Sequence, residues 1–370
     1  MKRRIQDEET LEHPRKQLRL GANTQNDAVG LTEALDFTAL SSAQEIPIRF
    51  DEIAKLLMFG HVIHLHTPGS PPKDIEYEIL ELEFYLYKPG FHADPFTHRA
   101  AEQRRGGRWY FHRTPTASGV STSSYRGGSR KGMDLTFGSS ATSLPPSVSG
   151  EDLDSTRGGI LFRTIRRLKD KKVVSGPSRL VDEILAQSGA QSISELVQSK
   201  WENDTFALSS AVPSSRPSLR IIPRNNLSKT ANPFRCPRIG LDLSHRSTKN
   251  SPCDPRVTFV CKPYRYITNP ELLTSNGRPQ TFVGVYDRLS ESTGVSTAKL
   301  AKAIANVTGI KEKTVLGYIE SLGLGLEGER SLDKFIRTKT RSVADYLTMV
   351  GALRRQSSSV IAVESESEAE

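Results

Sequence analysis

The sequence predicts an α+β protein: a mixed, largely antiparallel, curved β-sheet with flanking helices, followed by a small helical C-terminal unit. Three observations predict it. Between residues 61 and 87, apolar and polar residues alternate with the period of two that a half-buried strand requires. Apolar residues recur at helical spacing at Ile53, Leu56 and Leu57 and again in the run that follows Pro177. The stretch from Leu300 to Leu322 carries a helical period around a central Gly309.

In chain order, residues 1–45 mix basic clusters (Lys2, Arg3, Arg4, then Arg15, Lys16, Arg19) with acids and small polar residues, and a mobile tail is expected there. The two clusters fit a bipartite site for nuclear import receptors, or equally a solvated tail. Structure is expected to begin at IPIRFDEIAKLLMFG, a helix capped by Asp51 and closed by Gly60, and to pass into the strand HVIHLHT. After the turn residues PGSPPKD, Ile75 to Tyr87 alternates again, with Glu76, Glu78, Glu81 and Glu83 among the apolar positions. The acids switch parity between Glu78 and Glu81, so a bulge is expected just before Glu83.

GGILFRTIR (Gly158 to Arg166) is expected to be a buried strand, and SGPSRLVDEILAQSG a helix with Pro177 in its first turn. Residues 204–232 and 244–255 are Ser/Pro/Asn-rich and predict loops, whereas PRIGLDLS and RVTFVCKPYRYI predict strands. The resulting division is a mixed domain at 46–270, a helical unit at 280–355 and a disordered acidic tail at 356–370. In the helical unit Ala305, Gly309, Ile310, Val315 and Tyr318 fall where a helix-turn-helix places its small, turn and core residues, a pattern that any packed helix pair shares.

Composition excludes several classes. The 370 residues carry 51 Lys+Arg against 42 Asp+Glu, a formal net charge of +9, and only 36% are hydrophobic. The longest apolar runs, Leu56 to Phe59 and Val360 to Val363, fall far short of the roughly 20 residues of a bilayer-spanning helix. The opening MKRRIQDEE lacks the apolar core of a secretory signal. Cys236, Cys253 and Cys261 show no CxxC spacing and leave an odd thiol, which argues against a disulfide scaffold and fits a reducing compartment. His61, His64, His66, His92 and His98 raise a metal site, but no carboxylate joins them at metal-site spacing along the chain, so no metal is expected.

Residues 99–131 hold eight Arg/Lys and one acid, Glu102, interleaved with aromatic rings. Guanidinium groups for phosphates beside flat rings for bases point to nucleic acid, with Arg104, Arg105, Arg108, Trp109, Tyr110, Tyr125, Arg126, Arg130 and Lys131 as candidate contacts. A solvated basic face whose aromatics belong to the core is the equal alternative.

Five blocks tip the balance by resemblance. IAKLLMFGHVIHLHT with ILELEFYLYKPGFHADPFTHR, then GGILFRTIR, VSGPSRLVDEIL, PRIGLDLS and KPYRYI are similar, in the same order, to the methylpurine-DNA (alkyladenine, 3-methyladenine) glycosylase family, over about Ile48 to Thr268. The resemblance implies a DNA glycosylase of base-excision repair that flips a damaged purine out of double-stranded DNA and hydrolyses its N-glycosidic bond without metal or organic cofactor. It places the water-activating carboxylate on Glu83, the stacking ring on Tyr85, the pocket histidine on His98, the arginine beside the water on Arg163, and the backbone carbonyl that helps hold that water on Ile239. A monomer acting in the nucleus is the corresponding expectation.

The pattern departs from the family at three places. Lys131 precedes the Gly132–Met133 pair where the family has a bulky residue that fills the gap in the DNA, so that wedging falls to Tyr125 or Trp109. Gly138 or a near neighbour stands where the family has a pocket asparagine, and residues 113–125 form a Ser/Thr-rich insertion. The alternative function is a nucleic-acid-binding protein on the same fold, without hydrolysis, that reads DNA through Leu300 to Leu322.

Overall fold

The long alternating run becomes the centre of the sheet. In the computed structural model, which describes residues 30–115, 121–138, 156–208, 215–224, 232–273, 276–291 and 296–367, helix α1 (Glu45–Lys55) runs through a π-helical turn, Leu56–Gly60, into β1 (His61–Thr67). There follow β2 (Lys73–Lys88), β3 (His92–Ala93), β4 (Trp109–Phe111), β5 (Arg113–Pro115), β6 (Ser121–Tyr125), β7 (Met133–Phe137), β8 (Arg157–Arg167) and β9 (Val173–Ser175). Helix α2 (Pro177–Gln187), β10 (Ser218–Pro223), β11 (Phe234–Cys236), α3 (Pro255–Val260) and β12 (Arg265–Ile267) complete the α+β layer. Four longer helices close the chain: α4 (Arg278–Ser290), α5 (Thr297–Thr308), α6 (Glu312–Leu326) and α7 (Val343–Ser367).

The main sheet is ten-stranded, with the order β10-β1-β2-β8-β7-β4. All of its named strand pairs are antiparallel. The register of β2 on β8 breaks between Ile79 and Glu81 and again between Glu81 and Leu82, where the switch of acid parity places the bulge. Its consequence is a change of face. Tyr77 and Ile79 before the break, and Leu82, Phe84 and Leu86 after it, all enter the main core. There Phe84 packs on Phe50, ring centroids 4.5 Å apart. Burying rings of this size contributes about 1.5–3 kcal/mol each, which holds β2 in one register and so fixes where Glu81, Glu83 and Tyr85 emerge on the opposite face.

Several expectations are corrected. Order begins earlier than residue 46, because Leu31, Leu35 and Phe37 are buried in the main core and Asp36 bridges to Gly138. Asp51 does not cap a helix; it lies within α1 and accepts a hydrogen bond from Tyr266 Oη at 2.7 Å. The region expected as a loop at 204–232 contains β10, whose SLRIIP run pairs with β1 along the sheet edge. PRIGLDLS forms no strand, and RVTFV is helical because Asp254 accepts from the Arg256 N–H and Pro255 occupies the first turn. Helix α7 continues to Ser367, past residue 355, where a disordered tail was expected. The N-terminal basic clusters, and Glu368 and Glu370, lie outside the described residues.

The helical unit does not swing free. Its core of Phe282, Val283, Leu300, Ile304, Val315, Leu347 and Val350 also includes Leu243, Val257 and Val260 from before it. Gly309, at φ +70°, makes the left-handed turn between α5 and α6, as its place in the sequence requires.

Candidate functional site

Sheet register assembles the site. Glu83 faces Leu161 across β2 and β8, Leu161 faces Asp134 across β8 and β7, and Asp134 faces Tyr110 across β7 and β4. Directly opposed residues share a face, so Tyr110, Asp134, Leu161 and Glu83 form one row. On the other side of β2, Arg265 extends the row from β12.

Glu83 is fully buried and meets three donors. Tyr85 Oη donates to its Oε2 at 2.7 Å, the Ile239 N–H donates to Oε1 at 2.8 Å, and Arg163 Nη1 approaches Oε2 at 3.4 Å. An ionised carboxylate has about four acceptor sites, so these three donors use all but one of them. Of the five residues expected at the centre of the site, Tyr85, Arg163 and Ile239 thus all meet the fourth, Glu83. Ile239 contributes its N–H to the carboxylate, whereas the sequence resemblance assigned its carbonyl a role on water.

The sequence reading missed what holds these groups. Arg163 Nε donates to Glu81 Oε1 at 3.1 Å, and Arg265 Nε donates to the same oxygen at 2.6 Å. Two carboxylates and two guanidinium groups therefore balance in charge inside the fold, the condition under which buried ions are tolerated. Burial opposes ionisation of Glu81, but Arg265 and Arg163 outweigh it and lower its pKa from the usual carboxylate value. Burial would likewise lower the Arg163 pKa, yet Glu83 and Glu81 raise it. Tyr85 is held well above its ordinary pKa, first by burial and then by the charge of Glu83, so its hydroxyl stays a donor. The PRIG turn is fixed by Arg238, fully buried, which donates to Asp94 Oδ2 at 2.5 Å and to the Phe84 carbonyl at 3.0 Å. Its guanidinium also lies 4.5 Å from the centre of the Tyr85 ring. One sequence signal pointed to this network: Glu81 shares the parity of Glu83.

His98 stands exposed beside His112, their rings 4.4 Å apart and steeply inclined. Although the residue as a whole reaches solvent, desolvation of its ring by the surrounding atoms, then the charge of His112, pushes the His98 pKa down to about 4. His112 Nε2 pairs with Oδ1 of buried Asp134 at 2.9 Å. The charged side chain that β7 sends to this face is thus Asp134, and the resemblance had pointed near Gly138.

Of the candidate nucleic-acid contacts, Trp109 is corrected: its ring is buried against Phe162 and its Nε1 donates to the Leu219 carbonyl at 2.8 Å, so it serves the core. Tyr110 is also buried, edge-on to His98. Tyr125 is half-buried under Arg113, Arg126 Nε donates to the Arg113 carbonyl, and Lys131 is paired with Asp182. Arg105 and Arg130 are exposed, while Arg104 and Arg108 are half-buried. The metal question also changes in space, where Asp74 lies within 3.2 Å of His64 and 2.8 Å of His66.

No family model matches the chain. Over 134 residues it is 32% identical to the uncharacterized protein L759 of Acanthamoeba polyphaga mimivirus, a match that takes in 35% of this chain and spans 58% of the viral protein's length. Among the described residues, no helix is long and apolar enough to cross a membrane.

Proposed function

We propose that the protein is a monofunctional DNA glycosylase of the methylpurine type, which hydrolyses the N-glycosidic bond of an alkylated or deaminated purine flipped out of duplex DNA. The observation that carries this reading is the buried Glu83 carboxylate, oriented by Tyr85, Ile239 and Arg163 with one acceptor site to spare. Water on that site gives its proton to Glu83 while its oxygen attacks C1′, and the C1′–N bond breaks with its electron pair leaving on the base. The same carboxylate stabilises the positive charge that builds at C1′ in the oxocarbenium-like transition state. Arg163 keeps the carboxylate in place, and Tyr85 and His98 offer rings to the extruded base.

The partner is double-stranded DNA, bound through the exposed Arg105 and Arg130 and their neighbours on the basic segment; a nuclear monomer is the corresponding setting. The test is release of hypoxanthine, ethenoadenine and 3-methyladenine from defined duplexes, scored by alkaline cleavage of the abasic strand. Wild type is expected to release base from at least one of them, and Glu83→Gln, which keeps the shape and can still accept hydrogen bonds, to lose at least about 100-fold in rate while still binding. Equal rates for the two would end the proposal. A second reading, DNA binding without hydrolysis, draws support from exposed Lys299 and Lys302 in the first half of α5 and exposed Lys311 and Lys313 at the start of α6. It predicts salt-sensitive binding with no release from any duplex.

A further inference from the structure

Three side chains from separate segments converge beside the row just described. His98 comes from the loop after β3, His112 follows β4, and Asp134 lies on β7. One ligand atom from each falls within 4.8 Å of the other two. We propose that His98, His112 and Asp134 bind a divalent first-row transition-metal ion, Zn²⁺ foremost.

Donor type, spacing and the room made for the side chains all support the assignment. Two imidazoles and a carboxylate are a set that zinc and related ions accept, with open positions left for water. The His112 Nε2 to Asp134 Oδ1 separation of 2.9 Å is near the roughly 3.3 Å expected between two ligands of one tetrahedral ion with bonds of about 2.0–2.1 Å. His98, an exposed residue, brings its ligand atom within 4.8 Å of the other two and opens the site to solvent.

The backbone is cleared for these side chains. A Cβ on Gly132 would lie 2.5 Å from the His112 ring, and one on Gly159 would lie 2.8 Å from Asp134 Oδ2. Neither glycine has a positive φ, so space and not backbone conformation requires them. Buried Gln103 donates from Nε2 to Asp134 Oδ2 at 3.4 Å, the outer hydrogen bond that orients a metal-binding carboxylate.

A second group of two histidines and an aspartate provides the internal contrast. His64 Nε2 and His66 Nδ1 both converge on one oxygen, Asp74 Oδ1, at 3.2 and 2.8 Å. There both rings share one carboxylate oxygen, and among the described residues the group whose ligand atoms all lie within 4.8 Å of one another is the first one. In the first group Asp134 Oδ1 pairs with one histidine, His112, while Oδ2 takes the hydrogen bond from Gln103.

Asp134 lies two strands from Glu83, about 10 Å, so an ion there would not hold the water at Glu83. Its role would be to tie the His98 loop to β4 and β7 and to add positive charge to that face. The inference therefore stands whether or not the protein is a glycosylase.

The test uses the full chain, purified without an affinity tag and stripped with chelator. Zn²⁺ is titrated by calorimetry, and Co²⁺ is followed by its visible ligand-field absorption. One ion per chain, bound at micromolar or lower concentration, is expected. His98→Ala and Asp134→Asn should each weaken binding at least about tenfold. His98 is exposed and asparagine matches aspartate in shape, so both variants are expected to fold, which thermal unfolding verifies. The doubly substituted His64→Ala, His66→Ala chain should bind as wild type does. Absence of saturable binding, binding indifferent to His98 and Asp134, or loss confined to the His64/His66 variant would each overturn the proposal.

Discussion

Strands β2 and β8 carry two charged clusters of similar chemistry in different surroundings. Glu81, Glu83, Arg163 and Arg265 are all buried. Near the other end of the strands, Tyr77 faces Arg167 in the register, and Glu183 of α2 takes hydrogen bonds from Tyr77, Arg167, Lys172 and Gln187. There Lys172 is 54% exposed, and water can replace a lost partner. Burial, more than the number of ion pairs, should therefore decide what each cluster contributes.

The largest effect is expected from Arg265→Leu. It leaves Glu81 with Arg163 as its one guanidinium partner beside the Thr164 hydroxyl, and deprives Thr281 Oγ1 of both guanidinium donors at 3.1 Å. Removing one partner of a buried charge pair costs about 3–5 kcal/mol, to be read from urea unfolding. A loss below about 1 kcal/mol would show that water reaches this cluster as it does the outer one, and the comparison would fail.

Acid should separate the clusters next. Arg265 and Arg163 hold the folded-state pKa of Glu81 below its ordinary 4.5, against the opposing effect of burial. A depressed carboxylate stabilises the fold above the unfolded-state value, and that contribution is lost as pH falls through the lower, folded-state pKa. The unfolding free energy of wild type should fall between pH 5 and 3 more steeply than that of Glu81→Gln, whose side chain does not titrate. Parallel slopes would mean that other carboxylates carry the acid limb. Glu183 is also depressed, with burial again opposing and Arg167 leading the stabilisation, so Glu183→Gln supplies the outer-cluster control.

The parts of this arrangement visible in sequence are those encoded locally. Alternation located β1 and β2, a buried apolar run located β8, parity located the bulge, and Pro177 marked the start of α2. Strand β10 escaped because its short SLRIIP run lies in a Ser/Pro-rich stretch, and pairing with β1 supplies what local composition does not. Glu83, Tyr85, Arg163 and Ile239 were named through the ordered resemblance, and they meet in the fold. Asp134, His112, Arg238, Asp94 and Arg265 were not, because their partners are distant in sequence: Arg265 is 184 residues from Glu81, and Arg238 is 144 from Asp94. Trp109 was misassigned because an aromatic ring among arginines looks the same in sequence whether it stacks on a base or on Phe162.

The smallest effect is expected from Lys172→Met in the outer cluster. Lys172 Nζ reaches Glu183 Oε2 at 3.2 Å, but its removal leaves that carboxylate with Tyr77, Arg167 and Gln187 on Oε1. An exposed lysine also loses side-chain entropy when held in one pair, and salt screens the attraction that remains. The substitution should change unfolding free energy by about 0–1 kcal/mol, and by less in 1 M salt than at low ionic strength. A salt-independent loss above about 2 kcal/mol would place Lys172 with Arg265, and exposure would no longer separate the two ends of β2.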